Sequence, residues 1–392
     1  MFLEIKFCFL EIKFCFIIYA FEINFFKKFN FMILSIQKIY PKIIKNIIKI
    51  FEHLFQMKSI VEYIWIGGKG EFRSKTMVTK NIKWIDNGEC KDMFPEWNYD
   101  GSSTGQASDS GNTEIVLKPV YYCENPFIKM PNNSSYLVLC ESDNERESDR
   151  QTHDREKAVN IFNQNLDLQP WFGLEQEYFF STTPTNIFFD KHESQGRFYC
   201  GVGLSAIQRK IVEEHLKACL QANIEISGTN AEVAPNQWEF QIGTCEGIAA
   251  ADQLLMARYI LERIAEKYGL FICYEPKPFS HYNGSGCHAN FSTAAMRSAD
   301  GIHEILKCMP KLANAHKEHL KIYGNDNQNR LTGKHETSSM EEFTYGYGTR
   351  NTSVRIPNQV IKNGCGYFED RRPAANMNPY LVTSAIFKTC CL

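Results

Sequence analysis

Two glutamates inside an apolar run constrain this chain more than any other feature of its sequence. In QPWFGLEQEYFF (residues 169–180), Glu175 and Glu177 are surrounded by aromatic and aliphatic residues. If the run is a β-strand, alternate side chains share one face, so the two carboxylates stand side by side. Buried like charges repel, and each must take up a proton or find a cation. Two interpretations stay open here: an edge strand with a solvated polar face, or a strand that supplies ligands to a divalent metal ion.

The composition favours a protein that acts on small molecules. With 392 residues the chain has room for two or three domains, and its hydrophobic and charged fractions are those of a globular protein. A formal net charge of −2 gives no basic field for nucleic acid, so we expect no nucleic-acid partner. The 14 cysteines include no C-x-x-C spacing, so we expect free thiols and a cytoplasmic location.

Residues 1–57 differ from the rest of the chain. They contain 25 Phe or Ile but no Gly, Asp or Arg, and the heptapeptide FLEIKFC occurs twice in succession. Charged residues interrupt every apolar run well before the ~20 residues that a bilayer requires, so we expect no membrane span. The segment is low-complexity sequence. We interpret it as an extension outside the functional fold, with Met57 as a plausible start of the working protein.

The remaining chain is predicted to have an α+β fold in two domains. Short alternating runs between residues 62 and 141 predict a small strand-rich domain. The charge-dense stretch at residues 141–157 then marks a boundary, which gives an N-terminal domain at 58–145 and a catalytic domain at 146–392. Strands and helices do not alternate strictly beyond it, so a doubly wound sheet is not expected.

Three long helices are predicted in the second domain from apolar residues at helical spacing. The first carries Ile207, Ile211, Leu216 and Leu220. The second carries Leu254, Ala257, Leu261 and Ile264, and ends at Gly269. The third carries Ile302, Leu306, Leu312 and Leu320, ends near Gly324, and is expected to kink at Pro310.

A glycine-rich motif offers an alternative function. GVGLSA (residues 201–206) matches the dinucleotide fingerprint G-x-G-x-x-A, and Glu225 follows about twenty residues later. A nicotinamide-dependent oxidoreductase is therefore one hypothesis. The preceding SQGRFYC is a poor buried strand, however, and no second βαβ half is visible.

Further acidic residues and one histidine occur in apolar or glycine-rich settings. Glu232 and Glu239 lie in GTNAEVAPNQWEFQIG, where Pro235 and Asn236 indicate a hairpin turn, and NGSGCHANFS and GYFEDRRP add His288 and Glu369. With the first two glutamates this makes five carboxylates and one imidazole. Hard oxygen ligands with one imidazole suit Mg²⁺ or Mn²⁺.

Arginines accompany these candidate metal ligands. Arg330, Arg350 and Arg355 lie in NRLTGKHETS and TRNTSVRIP, and Arg371 follows Glu369. Metal ions that bridge phosphates and guanidinium groups that neutralise developing charge are the equipment of phosphoryl transfer.

Seven motifs, in order, resemble those of glutamine synthetase of the eukaryotic type. They are WNYDGSSTGQ, WFGLEQEY, GTNAEVAPNQWEFQIG, NGSGCHANFST, RLTGKHETS, RNTSVRIP and GYFEDRRP. The resemblance covers roughly residue 58 to the C-terminus. It implies a β-grasp N-terminal domain, a catalytic domain with a curved antiparallel sheet, and stacked rings, a decamer, with sites between subunits. It also implies that glutamate, ammonia and ATP are converted to glutamine, ADP and phosphate.

The resemblance further implies two metal ions and the residues that hold them. The metal nearest the glutamate would bind Glu177, Glu232 and Glu239. The metal on the ATP phosphates would bind Glu175, His288 and Glu369. Glu175 and Glu177 would thus face one way because each serves one of two neighbouring metal ions.

Residues for the substrates are implied in the same way. Glutamate would contact Asn283, Gly284, Arg330 and Arg371. The ATP phosphates would face Arg350 and Arg355, of which Arg350 would also act in catalysis. The nucleotide would lie along Asn290, Ser292 and Tyr367. Asp100 would take a proton from ammonium, and Glu336 would close over the site.

Two other classes of function stay open beside a ligase. A non-catalytic, glutamine-synthetase-like assembly protein would keep the rings but lose metal ligands, and all six are present here. A guanidino kinase with a related sheet would need a nucleophile-orienting Cys and no WNYDGSS loop. The stretch TNIFFDKHESQGRFYCGVG departs from the Gly/Pro-rich pattern usual in the family, which bears on loop conformation.

Removal of the low-complexity extension gives a direct test of its interpretation. Deleting residues 1–56 is expected to leave activity and solubility unchanged or improved, because an exposed Phe/Ile-rich segment promotes aggregation. Activity and sedimentation of the two forms, measured side by side, check this. Loss of assembly in the shorter protein would contradict it.

Overall fold

The computed structural model describes residues 58–80, 82, 90–108, 111–129, 134–143, 153–182, 197–206 and 208–392. The low-complexity extension at residues 1–57 lies outside this part of the chain, as does most of the stretch chosen as a domain boundary. The limits of the domains therefore stay predictions.

The N-terminal part of the described chain forms a five-stranded mixed sheet. Its strands are β1 (Ser59–Ile66), β2 (Phe72–Thr79), β3 (Trp97–Asp100), β4 (Glu114–Glu124) and β5 (Ser135–Asp143). Their order is β2-β1-β5-β4-β3, with β1 and β5 parallel at the centre and every other pair antiparallel. A short helix α1 (Cys90–Met93) precedes β3. This arrangement agrees with the expected small β-grasp fold.

The inner strand β1 is buried on both faces. Val61, Tyr63 and Trp65 belong to a core that this sheet forms with residues at α1, whereas Ile64 on the opposite face belongs to the large core of the molecule. A strand covered on both sides carries a continuous apolar run instead of an alternating one, and VEYIWI has that form apart from Glu62. Glu62 is satisfied by hydrogen bonds from Ser74, Tyr259 and Arg263.

A second, eight-stranded sheet carries the candidate site. Its strands are β6 (Trp171–Ser181), β7 (Ile226–Ala231), β8 (Gln237–Glu246), β9 (Phe271–Cys273), β10 (Cys287–Ser292), β11 (Tyr345–Tyr347), β12 (Val354–Ile356) and β13 (Phe368–Asp370). The order is β11-β12-β13-β10-β6-β8-β7, and β9 pairs with the far end of β6. Only β11 and β12 pair in parallel within this sheet. The α+β class predicted from the sequence is therefore confirmed.

Helices pack against the large sheet. The described helices after α1 are α2 (Asp154–Phe162), α3 (Arg209–Gln221), α4 (Ala249–Lys267), α5 (Ala294–Arg297), α6 (Ile302–Asn314), α7 (His316–Leu320), α8 (Asn358–Asn363) and α9 (Pro379–Cys391). The periodicity predicted for α4 is confirmed, since all four of its apolar positions are buried. In the part of the chain that the structure describes, no helix is both long and apolar enough to cross a bilayer.

The buried face predicted for α3 is wrong at its C-terminal end. Leu220 is 56% exposed, and the core face is formed by Ile211, Val212, His215, Ala218 and Cys219. His215 can take a core position because its Nε2 bonds the backbone oxygen of Ala257 on α4 at 3.0 Å. Ile207, the first residue of the predicted stripe, lies outside the described residues.

The third predicted helix is divided in two after Asn314, and the kink expected at Pro310 stays a prediction. Helix α6 runs through Pro310 and ends at Asn314, and α7 begins after Ala315. Pro310 is exposed, so the carbonyl that loses its helical bond there can be hydrated. The twelve cysteines of the described residues are free thiols, as expected.

Candidate active site

Strand β6 is an inner strand of the large sheet. It pairs with β10 on one side and with β8 on the other, so the edge-strand interpretation of Glu175 and Glu177 is wrong. Both glutamates line one cleft. Gln176, between them, is fully buried on the opposite face, where its Oε1 accepts a hydrogen bond from Arg258 Nε at 2.7 Å. Period-two alternation thus brings two carboxylates to one place on a central strand.

The first group of candidate metal ligands lies across three neighbouring strands. His288 on β10 stands directly opposite Glu175 on β6, and β13 brings Glu369 to the other side of β10. His288 Nδ1 lies 3.4 Å from Glu175 Oε2 and 3.5 Å from Glu369 Oε1. One potential ligand atom from each of the three residues lies within 4.8 Å of the others.

The second group is built by the hairpin of β7 and β8 beside β6. Glu239 on β8 stands directly opposite Glu177 on β6, and Glu232 follows the end of β7. The hairpin turn is made at Asn236, which has a φ of 56°, as the turn signal in the sequence predicted. The ligand atoms of these three glutamates also lie within 4.8 Å of one another.

The second group carries more negative charge than its surroundings can stabilise. Burial, together with the neighbouring Glu175, Glu177 and Glu232, raises the pKa of Glu239 to about 10. Burial and the charge of Glu232 raise the pKa of Glu177 to about 8. Burial also raises the pKa of Glu232. A divalent cation would remove this repulsion, and three carboxylates are a suitable donor set for Mg²⁺ or Mn²⁺.

These raised pKa values predict how the metal-free protein responds to pH. Between pH 7 and 8.5 folded Glu239 keeps its proton and folded Glu177 keeps its proton in part, whereas the unfolded chain, with an ordinary pKa of 4.5, has lost both. Because the folded state binds more protons, the free energy of unfolding is expected to fall as pH rises, by up to about 1.4 kcal/mol per pH unit from Glu239 and by less from Glu177, whose pKa lies inside this range. Thermal unfolding in excess chelator checks this.

A matched variant and added metal isolate the source of that slope. Glu239→Gln should flatten the decline between pH 7 and 8.5, and a saturating divalent cation should stabilise the wild type more at the upper end of the range. The window lies above pH 7 because histidines with lowered pKa values, such as His288, act in the opposite direction below it. A wild-type stability that stays constant or rises across the window contradicts the prediction.

Two arginines form ion pairs with a member of the first group of candidate metal ligands. Glu369 accepts hydrogen bonds from Arg371 Nη1 at 2.6 Å and from Arg355 Nη1 at 3.2 Å. Arg355 Nε is buried, and among the described residues no acceptor lies within hydrogen-bonding distance of it. A guanidinium at the edge of a cleft that keeps one donor unused is suited to an anionic ligand.

Arg330 lies beneath the cleft and supports His288. It is 3% exposed, and its Nη2 lies 3.1 Å from His288 Nε2 and donates to the backbone oxygen of Arg371 at 2.8 Å. Burial lowers the pKa of Arg330 to about 10. A Cβ on Gly286 would come within 2.6 Å of Arg330 Nη2 and 2.7 Å of His288 Nε2. A side chain at this glycine would therefore displace both functional groups.

Glu336 and Asn283 lie at the mouth of the cleft. Glu336 Oε2 accepts from Asn283 Nδ2 at 3.2 Å and from Arg350 Nη1 at 3.3 Å. Gly284 is packed closely, since a Cβ there would lie 2.3 Å from Pro276 O. The carboxylate of Glu336 is therefore within reach of groups on two other loops.

One cleft brings most of the sequence-predicted residues together. The predicted residues that line it are Glu175, Glu177, Glu232, Glu239, Asn283, Gly284, His288, Arg330, Glu336, Arg350, Arg355, Glu369 and Arg371. These residues converge from five strands and several loops, which is the main structural finding at this site.

Four predicted residues, all of them described by the structure, do not line this cleft. Asn290 borders it from β10, and its Nδ2 donates to Glu175 Oε1 at 2.8 Å. Ser292, at the end of the same strand, accepts from Arg297 Nη1 at 3.0 Å. Tyr367 is 41% exposed, and burial of its hydroxyl, with the nearby charges of Glu175 and Glu369, raises its pKa.

Asp100, the fourth, ends β3 in the other sheet. It is exposed, and hydroxyl groups of Ser103 and Ser102 donate to its two oxygens at 2.7 and 2.8 Å. The hydrogen bonds from Ser103, Ser102 and Thr113 lower its pKa to about 2. Asp100 is therefore an ionised carboxylate that faces solvent.

Sequence reasoning missed four residues that line the cleft. They are Tyr199, Asn230, His335 and Thr337. Tyr199 lies in RFYCGVG, which the dinucleotide hypothesis interpreted as the strand and glycine-rich turn of a nucleotide site. The GVGLSA segment in fact forms a 3-10 helix (Gly203–Ala206), and the described residues before it, 197–202, contain no strand. The strand–loop–helix unit of a dinucleotide site is not formed there.

Comparisons with known proteins agree with the geometry. A protein-family model described as "Glutamine synthetase, catalytic domain" matches residues 151–391. A protein of Acanthamoeba polyphaga mimivirus whose name contains the words glutamine synthetase is 51% identical over 339 residues, covering 85% of this chain and 94% of that protein. Glutamine synthetases of Kluyveromyces lactis and Saccharomyces cerevisiae are each 45% identical over 347 residues, covering 85% of this chain and 88% and 89% of theirs.

Proposed function

The chain belongs to the glutamine synthetase family, and from this membership we propose that it makes glutamine from glutamate, ammonia and ATP through a γ-glutamyl phosphate. Its similarity to the yeast enzymes agrees with the eukaryotic type. It is thus an ATP-dependent carboxylate–amine ligase. Nothing in the comparisons or the cleft favours the non-catalytic assembly protein.

One observation carries the proposal: two groups of three candidate metal ligands line a single cleft. We infer that Glu177, Glu232 and Glu239 hold one Mg²⁺ or Mn²⁺ ion, and that Glu175, His288 and Glu369 hold another. When bound, the ions would neutralise the phosphate oxygens and orient them for transfer. The raised pKa values of Glu177 and Glu239 support a cation there.

The arginines around the ligands would bind the two anionic substrates. Arg330 and Arg371 are assigned to glutamate, together with the polar groups at Asn283 and Gly284. Arg350 and Arg355 are assigned to the ATP phosphates, and the unused Nε of Arg355 supports that assignment.

The nucleotide would extend along the outer end of β10. Asn290 and Ser292 lie on that strand, and Tyr367 immediately precedes β13 beside it. The exposed ring of Tyr367 offers a face on which a base could stack.

Two carboxylates would act on the ammonia and on water. Ammonium is not a nucleophile, so a carboxylate must bind it and accept its proton, and the low pKa of Asp100 keeps that group ionised at neutral pH. The acyl phosphate would hydrolyse in water, which Glu336 would exclude when it closes over the cleft.

We further propose an assembly of stacked rings, a decamer, in which each site takes Asp100 from a neighbouring subunit. The position of Asp100 supports this, because among the described residues it does not line the cleft of its own chain. The free thiols support a cytoplasmic location.

Glutamine formation tests the function directly. The full chain, and a form that begins at Met57, would be incubated with glutamate, ammonia, ATP and Mg²⁺ or Mn²⁺, and glutamine and phosphate would be quantified. We expect one phosphate per glutamine and no product in excess chelator. Absence of glutamine under all these conditions, in correctly folded protein, would overturn the proposal.

A further inference from the structure

The loop that carries Glu336 has a backbone shape that needs support. Residues 331–339 leave Arg330 and return through a bridge between Thr332 and Ser339. At the tip, His335 and Glu336 have φ values of 55° and 63°. Residues with side chains rarely adopt this left-handed conformation, and it persists only where the surrounding contacts hold it.

The functional groups in front of the tip make weak contacts with it. Glu336 Oε2 is 3.2 Å from Asn283 and 3.3 Å from Arg350, and Arg371 Nη2 reaches the backbone oxygen of Glu336 at 3.4 Å. All three contacts are long and exposed, so each contributes little stability. Contacts on the other side of the tip therefore contribute to holding its conformation.

Thr337 supplies that support from beneath the tip. It is 8% exposed, and its Oγ1 lies 3.0 Å from the backbone oxygen of Arg330 and 2.8 Å from that of Lys334. Its single hydroxyl proton is shared between these two acceptors. The hydroxyl thereby joins the residue at which the loop leaves the cleft floor to the residue that precedes the tip.

We propose that Thr337 is a positioning residue whose hydroxyl holds the loop so that Glu336 covers the cleft and keeps water from the acyl phosphate. The inference rests on the proposed function. If Glu336 is misplaced, water attacks the γ-carbonyl carbon instead of ammonia, and the bond from that carbon to the phosphate oxygen breaks. Phosphate leaves with the bonding electrons, a proton passes to solvent, and glutamate is regenerated after ATP has been consumed.

Thr337→Val tests the proposal with little risk to folding. Both acceptors keep a backbone donor, since Thr332 N reaches Arg330 O at 3.0 Å and Thr337 N reaches Lys334 O at 3.3 Å. We expect the uncoupled part of ATP consumption, which is the ATP used per glutamine in excess of one, to rise about fivefold over the wild type, the change in partitioning that loss of one hydrogen bond produces. Thr337→Ser, which keeps the hydroxyl, should keep this excess at the wild-type level.

A second threonine gives the matched control. Thr383 is fully buried in α9, remote in sequence from the loop, and its Oγ1 donates to Pro379 O at 2.7 Å. Thr383→Val makes the same chemical change and is expected to lower the Tm while the ATP used per glutamine stays at the wild-type level. If this control also consumed more ATP per glutamine, general destabilisation would explain the effect of Thr337→Val, and the proposal would be overturned.

The outcomes separate the proposal from the function on which it rests. If wild-type protein forms no glutamine, the proposed function fails. If the wild type forms glutamine and Thr337→Val keeps both its rate and the wild-type consumption of ATP per glutamine, only the positioning role is wrong. Should Thr337→Val not fold, Thr337→Ala carries the same expectation and is judged by the same excess.

Discussion

Glu239→Gln is expected to reduce glutamine formation by about a hundredfold or more, because direct removal of a metal ligand should cost at least as much as loss of its supporting partners. The amide keeps the shape of the side chain and removes the charge that balances a divalent cation. Steady-state assays over a range of Mg²⁺ and Mn²⁺ concentrations, with calorimetric titration of Mn²⁺, measure the effect. Full activity in the variant would falsify the metal-site assignment.

Stability separates this effect from a folding defect. In the absence of metal the same substitution should stabilise the protein at pH 8, because folded Glu239 must take up a proton at that pH and the neutral amide need not. The matched control is Glu262→Gln on α4, where burial raises the pKa of a glutamate outside the cleft to about 7. We expect this control to keep its activity and metal affinity. Activity and stability therefore change in opposite directions only at the site.

The sequence predicted the two pairs of glutamates in the site because spacing over a few residues determines which side chains lie together. Glu175 and Glu177 are two residues apart, so their side chains share one face in any β-strand. The turn signal at Asn236 was sufficient to predict that Glu232 and Glu239 lie close together. The same local rules could not show that β6 is an inner strand. That depends on β8 and β10, which lie about 60 and 110 residues further along the chain.

Helix α3 shows where apolar periodicity is misleading. Its sequence offers Leu216 and Leu220 as core residues, but Leu220 is exposed, and His215 and Ala218 are buried in their place. A small residue and a hydrogen-bonded histidine allow the helix to approach α4 closely, which a hydrophobicity pattern does not record. The stripe on helix α4 was predicted correctly because Leu254, Ala257, Leu261 and Ile264 are strongly apolar or small, and all four are buried.

Local sequence rules do not predict the contacts of Thr337, and a single subunit does not test the role proposed for Asp100. Thr337 bonds two backbone oxygens, those of Arg330 and Lys334, in a loop where His335 and Glu336 adopt left-handed conformations. Asp100 was assigned to the ammonium only through the resemblance of WNYDGSS to the family motif, and in the proposed assembly it faces a second chain. A test of its role must therefore use an assembly.

Mixed assemblies of two inactive variants are expected to regain activity. Asp100→Asn removes the proposed ammonium site and Glu239→Gln removes a metal ligand, so each variant alone should be nearly inactive. In a ring with head-to-tail contacts, each site would combine Asp100 of one chain with the cleft of its neighbour. Co-expressed in equal amounts and mixed at random, about a quarter of the sites would be intact, one half multiplied by one half.

The same experiment distinguishes a shared site from one confined to a single chain. If Asp100 served the cleft of its own subunit, every site in the mixture would carry one of the two defects, and activity would not exceed that of the single variants. Different affinity tags on the two chains, with tandem purification, establish that mixed rings have formed. The low pKa of Asp100 keeps its carboxylate ionised at neutral pH, whereas asparagine has the same shape but no charge with which to bind ammonium. Recovery to about a quarter of wild-type activity therefore reports a carboxylate supplied by the adjacent subunit.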